Sequence, residues 1–173
     1  VNLRAARSIV ILSPESSDPD AQVIKTLLAI TNNPERRAEP YHVVAELHDR
    51  RNVEVARIAG GDEVELVVAD DLISRITGQT CRQSGLSVVY TDLLDFGGDE
   101  VYFQEEPGLV GKTFHEALLA YEDSAVIGLC TKDGRVQLNP AMDARIEPGD
   151  QIIAISEDDD TVRLSGLSDY GIE

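Results

Sequence analysis

Apolar and polar positions alternate along the first half of the chain in blocks that predict strands and helices in turn. The run RSIVILS, residues 7–13, is a short apolar segment bounded by Ser and Pro, typical of a strand buried on both faces. Two further strands are predicted over YHVVAELHD, residues 41–49, and EVELVVAD, residues 63–70. Strands separated by helices of this length predict a parallel sheet with right-handed crossovers.

Three helical segments separate and follow these strands. The first covers residues 18–33, where apolar residues recur at helical spacing and Asp18 with Pro19 forms a typical helix start. The second covers residues 50–61 and ends in two glycines. The third, DLISRITGQTCRQ, covers residues 71–83.

The pattern changes after Gln83. Residues 84–96 look helical, and a β-rich region follows. Its predicted strands are EVYFQEE (100–106), SAVIGLCT (124–131), RVQLNP (135–140) and DQIIAISED (150–158), with a short helix over GKTFHEALLAYE (111–122). We therefore predict a partial Rossmann-like lobe over residues 1–83, a helical connector over 84–98, a small β-rich lobe over 99–161 and a tail over 162–173.

The first lobe lacks the glycine-rich turn of a dinucleotide-binding sheet. Such a sheet starts with a strand followed by G-x-G-x-x-G, whereas the paired glycines here, Gly60–Gly61 and Gly97–Gly98, do not match that fingerprint. Residues 1–7 look like the end of a helix that leads directly into a central strand. The sequence thus predicts an α/β fold whose first lobe is the second half of a Rossmann-like sheet from a longer protein. A complete flavodoxin-like domain is the alternative.

Composition narrows the class of protein. The 173 residues are 42% hydrophobic, enough for one domain or two small lobes, and no apolar run approaches the ~20 residues that cross a bilayer, so we expect no direct membrane insertion. A net charge of −17 argues against nucleic acid or anionic lipid as a partner. Cys81 and Cys130 lack metal-ligand spacing and lie in apolar surroundings, which predicts buried free thiols in a reducing cytosol.

Three segments carry a resemblance to a known family. They are GGDEVELVVADDLISRITGQTCRQSGL (60–86), VGKTFHEALLAYEDSAVIGL (110–129) and LNPAMDARIEPGDQIIAISEDDDT (138–161). Together they resemble the C-terminal soluble region of CASTOR/POLLUX-type ion channels, and the arrangement is similar to the RCK modules that regulate the conductance of potassium channels. The resemblance implies a partial RCK N-lobe over residues 1–83 and a TrkA-C-like C-lobe over residues 99–161.

The resemblance also implies a function. RCK modules pair through a helix–turn–helix, here residues 70–96, and copies assemble into a ring beneath the pore domain of the same polypeptide, on the cytoplasmic side of a membrane. Ligand binding to the ring then acts on the pore. The apolar residues expected at the dimer contact are Leu72, Ile73, Ile76, Leu86, Val89, Leu93 and Leu94.

Two other functions remain open at the level of sequence. One is a dissociable ligand-binding regulatory subunit of a potassium transporter, of the TrkA type. The other is a fragment of a Rossmann-like oxidoreductase, which the missing glycines disfavour. His42, His48 and His115 lack the spacing of a metal pair or a triad, and no serine or cysteine has an adjacent base. We therefore predict that the chain is not an enzyme.

Two acidic features are candidates for a cation site. Four consecutive acids, Glu157–Asp160, follow the apolar run QIIAIS, and because adjacent side chains of an extended segment point to opposite faces, we interpret them as a solvated strand end rather than a calcium site.

The second acidic feature lies where the three parallel strands end, since the carboxyl ends of such strands share one edge and ligands bind beyond it. Several carboxylates there favour a hard divalent cation such as Ca²⁺. In the alternative, Asp18 and Asp70 cap helices and Glu46 or Asp49 pairs with Arg50 or Arg51. The predicted cation ligands are Asp18, Asp20, Glu46, Asp49, Asp70 and Asp71.

Overall fold

The computed structural model describes residues 2–95 and 97–166. The chain forms two compact units, which we call the N-terminal unit (residues 1–87) and the C-terminal unit (residues 88–173). The division lies inside the connector predicted over residues 84–98.

The N-terminal unit alternates strands and helices. Its elements are β1 (Ser8–Ile11), α1 (Pro19–Thr31), β2 (His42–Leu47), α2 (Val53–Gly60), β3 (Val64–Val68) and α3 (Ala69–Arg82). The strands are parallel and lie in the order β1-β2-β3. The parallel sheet predicted from the sequence is confirmed, and each strand is three residues shorter than its predicted segment.

Helix α1 begins and packs as its sequence predicts. The side chain of Asp18 accepts a hydrogen bond from the backbone N–H of Ala21 at 3.2 Å, and Pro19 occupies the first turn, where its missing N–H is not needed. One stripe of the helix is buried against the sheet. Its apolar members are Val23, Leu27 and Ile30.

Two glycines end α2 and bring the chain into β3. Gly61 has a φ of +64°, in the left-handed region that favours glycine. Gly60 is held close to the next strand, since a Cβ at this position would lie 2.2 Å from Cγ2 of Val64. The tight connection sets Val64 opposite Val43 in the parallel ladder.

The parallel sheet is covered on one face. Successive right-handed crossovers in one direction place α1 and α2 on the same side, where Ile9 and Ile11 of β1 join their core. On the opposite face Val10 is 66% exposed and Leu12 is 72% exposed. The prediction that the first strand is buried on both faces is therefore wrong for the described part of the chain.

Helix α4 (Leu86–Leu93) leads into the β-rich C-terminal unit. The elements of this unit are β4 (Glu100–Gln104), α5 (Phe114–Leu118), β5 (Ala125–Cys130), β6 (Val136–Leu138) and β7 (Gln151–Ser156). The four strands are antiparallel in the order β4-β7-β5-β6. Phe114 and Ala117 of α5 pack on Leu129, Ile152 and Ala154 of the sheet, which confirms the predicted β-rich lobe.

The boundary predicted at residue 161 is wrong. Val162 is almost fully buried in the core of the C-terminal unit, and Leu164 packs against that core. The backbone N–H of Ser165 donates to the carbonyl of Ala120 at 2.8 Å. The chain thus returns to α5 after the last strand, so residues 162–166 belong to the lobe, and the rest of the predicted tail, residues 167–173, lies outside the described residues.

One of the two cysteines also differs from its prediction. Both are free thiols, and Cys130 is buried as expected, but Cys81 is exposed near the end of α3. Cys81 stays uncovered because α3 has no buried residue, and its neighbours in sequence, Thr80 and Arg82, are polar.

Candidate functional site

The six acids predicted to bind a cation follow the carboxyl edge of the parallel sheet, as expected from the strand order. Asp18 and Asp20 lie at the start of α1, Glu46 and Asp49 lie at the end of β2, and Asp70 with Asp71 occupies the first turn of α3. The partners of each carboxylate decide whether this edge is free to hold a metal ion.

Asp20 is a buried structural carboxylate. Its two oxygens accept hydrogen bonds from the backbone N–H groups of His48 (2.9 Å) and Asp49 (3.0 Å) and from the side-chain amide of Asn52 (2.7 Å). Burial by itself would raise the pKa of Asp20, but these hydrogen bonds and the neighbouring His48 outweigh it, so the pKa lies below its ordinary value. The carboxylate ties α1 to the turn that follows β2.

Three further acids of this edge are also engaged. Asp18 caps α1, and one oxygen of Glu46 accepts the backbone N–H of Ser13 at 2.9 Å. Asp49 accepts from the guanidinium of Arg51 at 2.8 Å and from its backbone N–H at 2.9 Å, and the side-chain hydrogen bond holds the pKa of Asp49 below its usual range.

The two acids of α3 have a histidine and an arginine as partners. Oδ1 of Asp70 lies 3.3 Å from Nδ1 of His48, and Oδ2 of Asp71 accepts from Nε of Arg75 at 2.8 Å. Asp70 does not cap the helix, because Val68 is the N-cap residue and Asp70 is the second residue of α3.

The six acids therefore do not form one cluster of free carboxylates in this structure, and calcium binding at this edge stays a prediction. Within residues 2–95 and 97–166, no group of three or more His, Cys, Asp or Glu side chains is placed to hold a metal ion. Each of the six carboxylates has at least one protein partner, which is a backbone N–H, asparagine, histidine or arginine group. The sequence pattern identified the edge correctly, but its alternative, in which Asp18 caps α1 and Asp49 pairs with Arg51, describes the structure better.

A groove of about 380 Å³ remains at this edge. It lies between the turn after β2 and the first turns of α3. Its lining residues are His48, Asp49, Arg50, Val68, Asp70, Asp71 and Ser74. The groove has both acidic and basic walls. Sequence analysis paired Arg50 with Glu46 or Asp49, but it did not place His48 beside Asp70, because the two residues are 22 positions apart.

The helices of the predicted contact present uncovered apolar side chains. On α3, Leu72 is exposed and Ile73 is 61% exposed, and on α4 Val89 is exposed. Leu94, just after α4, is 69% exposed. The remaining members of the predicted set, which are half-buried, are Ile76, Leu86 and Leu93.

The acidic run after β7 is a solvated strand end, as predicted. Ile152 and Ile153 are buried, whereas Glu157–Asp160 are exposed. Asp158 caps a single turn of 3₁₀ helix, Asp159–Thr161, by accepting the backbone N–H of Asp159 at 2.8 Å. The carboxylates therefore serve the local turn and solvent.

A comparison with protein families identifies the chain. A family model described as "Castor and Pollux, part of voltage-gated ion channel" matches residues 70–169, which is more than half of the chain. The chain belongs to the Castor and Pollux ion channel family. The resemblance seen in the sequence is confirmed, and so is the prediction of a non-enzymatic family, since the relatives of the chain are named as ion channels.

Curated relatives agree with this membership. The chain is 36% identical to "Probable ion channel CASTOR" of Oryza sativa over 165 residues, which is 93% of the chain and 18% of the relative. It is 35% identical to "Probable ion channel POLLUX" of Arabidopsis thaliana over 96% of the chain and 20% of the relative. The chain thus spans about a fifth of the length of these Castor and Pollux channels.

A solved structure confirms the fold. The structure of the human SLO3 gating ring matches 94% of the chain and 34% of its own length, with a TM-score of 0.72 at 17% identity. The parallel sheet followed by an antiparallel lobe is therefore a fold that the chain shares with that structure. No helix in the described part of this Castor and Pollux chain is long and apolar enough to cross a membrane.

Proposed function

We propose that the chain is a regulatory module of a Castor and Pollux-type cation channel, placed on the cytoplasmic side of the membrane. In this function, copies of the module associate into a ring, bind a ligand and act on the pore of the same polypeptide. The observation that carries the proposal is the family match over residues 70–169, because this range includes nearly all of α3, the whole of α4 and most of the C-terminal unit.

The length of the relatives favours a pore in the same polypeptide over a dissociable subunit of a transporter. The chain corresponds to about a fifth of a Castor or Pollux channel, which leaves most of the relative for other domains. Two or more apolar segments of ~20 residues encoded upstream of Val1 would support the channel, whereas a start codon beside a strand with G-x-G-x-x-G would contradict it.

Association is proposed to use the apolar faces of α3 and α4. An exposed leucine or isoleucine on its own is ordinary, but each of these two short helices has its apolar residues exposed or half-buried. Burying such a face against a second copy removes apolar surface from water, at about 25 cal/mol per Å². Association of this kind accounts for the apolar residues on the surface of these helices in a chain whose net charge is −17.

The experiment that tests the proposal compares two exposed apolar positions. We expect the wild-type chain to form dimers or larger species by light scattering at high micromolar concentration, and Ile73→Asp on α3 to weaken association at least tenfold, because a buried unpaired carboxylate is costly. Leu119→Asp is the matched control, since Leu119 is also exposed but lies at the end of α5. A monomeric wild type, or equal effects of the two substitutions, would contradict the proposed association.

The ligand is proposed to bind at the groove lined by His48, Asp70 and Asp71. Calcium is the candidate that the acids favour. Because Asp70 and Asp71 are paired with His48 and Arg75, calcium has to displace these partners, so binding and a local change at the start of α3 are linked. Helix α3 also carries part of the proposed contact, which connects ligand binding to the ring.

A further inference from the structure

A crevice of about 490 Å³ lies in the C-terminal unit, between the β5–β6 hairpin and the loop that precedes β7. Its volume falls within the range of small-molecule sites, roughly 300–1,000 Å³. Three basic side chains, Lys132, Arg135 and Arg145, contribute to its lining. The crevice belongs to this unit alone and shares no residue with the groove at the start of α3.

One wall of the crevice continues the inner face of the sheet beyond the hydrophobic core. Leu129 of β5 belongs to that core and pairs with Gln137 of β6. Side chains alternate along a strand, so Thr131 and Arg135 lie on the same face as this pair. The backbone N–H of Thr131 donates to the carbonyl of Arg135 at 3.0 Å, which continues the pairing into the hairpin turn. This wall therefore passes from an apolar end to a polar, cationic end.

Asp150 holds the two walls together. This carboxylate is buried, and its two oxygens accept the backbone N–H groups of Lys132 at 3.1 Å and of Glu147 at 3.0 Å. Lys132 lies in the hairpin turn, and Glu147 lies in the opposite loop. Gly149 makes the intervening turn with a φ of +86°, in the left-handed region that favours glycine. The crevice is thus held open by the fold itself, as ligand sites usually are.

The crevice concentrates the positive charge of an acidic unit. Residues 88–173 carry 19 acids and five Lys or Arg residues, and three of these five bases line the crevice. The other two, Lys112 and Arg163, each have a carboxylate partner. Within residues 97–166, Lys132, Arg135 and Arg145 have no carboxylate oxygen within 4.0 Å. One unpaired base on a surface is ordinary, but three around one crevice of such a unit indicate an anion site.

We propose that the crevice binds a small organic phosphate. Lys132 and Arg135 approach from the hairpin and Arg145 from the opposite loop, where its Nη1 donates to the carbonyl of Gly111 at 2.8 Å. A phosphate monoester presents three acceptor oxygens and close to two negative charges, so it can accept from donors on both walls. A carboxylate has two oxygens in one plane and a single charge. The guanidinium fork also matches phosphate geometry.

The remaining lining shows why the ligand needs an organic part. Leu129 is buried, and Ala144 and Pro148 add apolar surface on the loop side, so the crevice offers contacts beyond the phosphate group. Asp133 and Glu147 also line it, and their charges oppose any anion. Inorganic phosphate therefore binds more weakly than a monoester whose organic part contacts the apolar wall.

Titration of the whole chain with phenyl phosphate tests the proposal, followed by amide NMR at constant ionic strength. We expect saturable shifts in residues 129–137 and 144–150, which carry the lining. Inorganic phosphate, which lacks the organic part, and benzoate, which has a carboxylate in place of the phosphate, should each bind severalfold more weakly. The absence of saturable shifts in these residues overturns the site. Equal binding of benzoate and phenyl phosphate overturns phosphate as the ligand class.

Substitutions separate the crevice from net charge. Arg135→Gln should weaken phenyl phosphate binding at least tenfold, because it removes a charged, forked donor. Arg163→Gln is the matched control, since Arg163 is also exposed in this unit but does not line the crevice. Glu147→Gln should strengthen binding severalfold, because it removes an opposing charge. Equal weakening by Arg135→Gln and Arg163→Gln would attribute binding to net charge and overturn the site.

The proposal stands apart from the proposed function. Association through α3 and α4 is measured by light scattering, and phosphate binding is measured on residues of the C-terminal unit. A chain that associates but does not bind phenyl phosphate overturns only the crevice. A monomeric chain that binds phenyl phosphate at residues 129–150 supports the crevice and contradicts only the proposed association.

Discussion

Asp20 shows how one buried carboxylate organises the carboxyl edge of the parallel sheet. The side chain is 3% exposed, yet it carries a charge, because two backbone N–H groups and an asparagine amide replace the water that it loses on folding. The turn after β2 begins 28 residues after Asp20, and the hydrogen bonds of Asp20 join this turn to the start of α1. Its charge therefore has a structural role, because it holds the start of α1 against the turn after β2.

The first prediction is that Asp20→Asn destabilises the fold by about 1–3 kcal/mol, since an amide cannot accept all three hydrogen bonds and hydrogen bonds to charged groups are the stronger ones. The pKa of Asp20 in the folded chain is below its ordinary value of 3.8. Its stabilisation is thus fully present above about pH 4 and is lost as the pH falls through the folded pKa. Urea unfolding between pH 2 and pH 6 measures both effects.

Asp159→Asn is the control for this substitution, because Asp159 is an exposed carboxylate after β7. It should change the free energy of unfolding by no more than about 0.5 kcal/mol. Equal effects of the two substitutions would show that net charge, and not the hydrogen bonds of Asp20, controls stability.

At the scale of elements, α5 is a helix of five residues that depends on its cap. Thr113 and Glu116 form a capping box: the Glu116 carboxylate accepts the backbone N–H of Thr113 at 2.8 Å, and the Thr113 hydroxyl accepts the N–H of Glu116 at 3.3 Å. Lys112 adds an ion pair at 3.0 Å. The backbone hydrogen bond from Thr113 is the largest of the causes that lower the pKa of Glu116 to about 2.

The second prediction is that Thr113→Ala destabilises the chain by about 1 kcal/mol and moves the Glu116 pKa upward, toward its ordinary value of 4.5. Because the folded pKa is depressed, the contribution of Glu116 to stability is present above about pH 4.5 and is lost as the pH falls toward about 2. Carbon-detected NMR titration of the side-chain carboxyl measures the pKa. Lys112→Ala should move the pKa further, because the hydrogen bond from Lys112 lowers it more than the Thr113 hydroxyl does, and the backbone N–H of residue 113 remains in Thr113→Ala. An unchanged pKa in Thr113→Ala would contradict the capping argument.

At the scale of the whole molecule, dissolved cations screen the repulsion within a chain of net charge −17, so any salt stabilises the fold. A specific effect of calcium therefore has to be separated from the effect of ionic strength. The third prediction is that calcium raises the thermal stability of the chain more than sodium at matched ionic strength, and more than magnesium, which tolerates irregular coordination poorly. A ligand that binds the folded state at a hundredfold excess over its Kd contributes about 2.7 kcal/mol.

Substitutions locate the proposed calcium site. Asp70→Asn should reduce the calcium-specific shift, whereas Asp159→Asn in the acidic run should leave it unchanged, because that run serves a local turn. Arg75→Ala should increase calcium affinity, since Asp71 would no longer be paired with Arg75. A shift that is absent, or that disappears only with changes in Glu157–Asp160, would remove the groove as the calcium site.

The sequence by itself determined the local structure of this protein. Apolar spacing predicted the order and kind of the elements, and short-range chemistry predicted the Asp18 cap of α1 and the glycine end of α2, because these interactions join residues a few positions apart. The resemblance in three segments also predicted the channel family, which the match over residues 70–169 confirms.

Tertiary structure alone decided which polar and apolar groups are free. Glu46 accepts a hydrogen bond from Ser13, 33 residues away, and Asp20 accepts hydrogen bonds from His48 and Asn52, so two of the acids that looked available for a metal ion already have partners. Val162 joins the core of the C-terminal unit together with residues from far earlier in the chain. Partners separated by dozens of residues leave no periodic pattern, so their pairing is known only once the chain has folded.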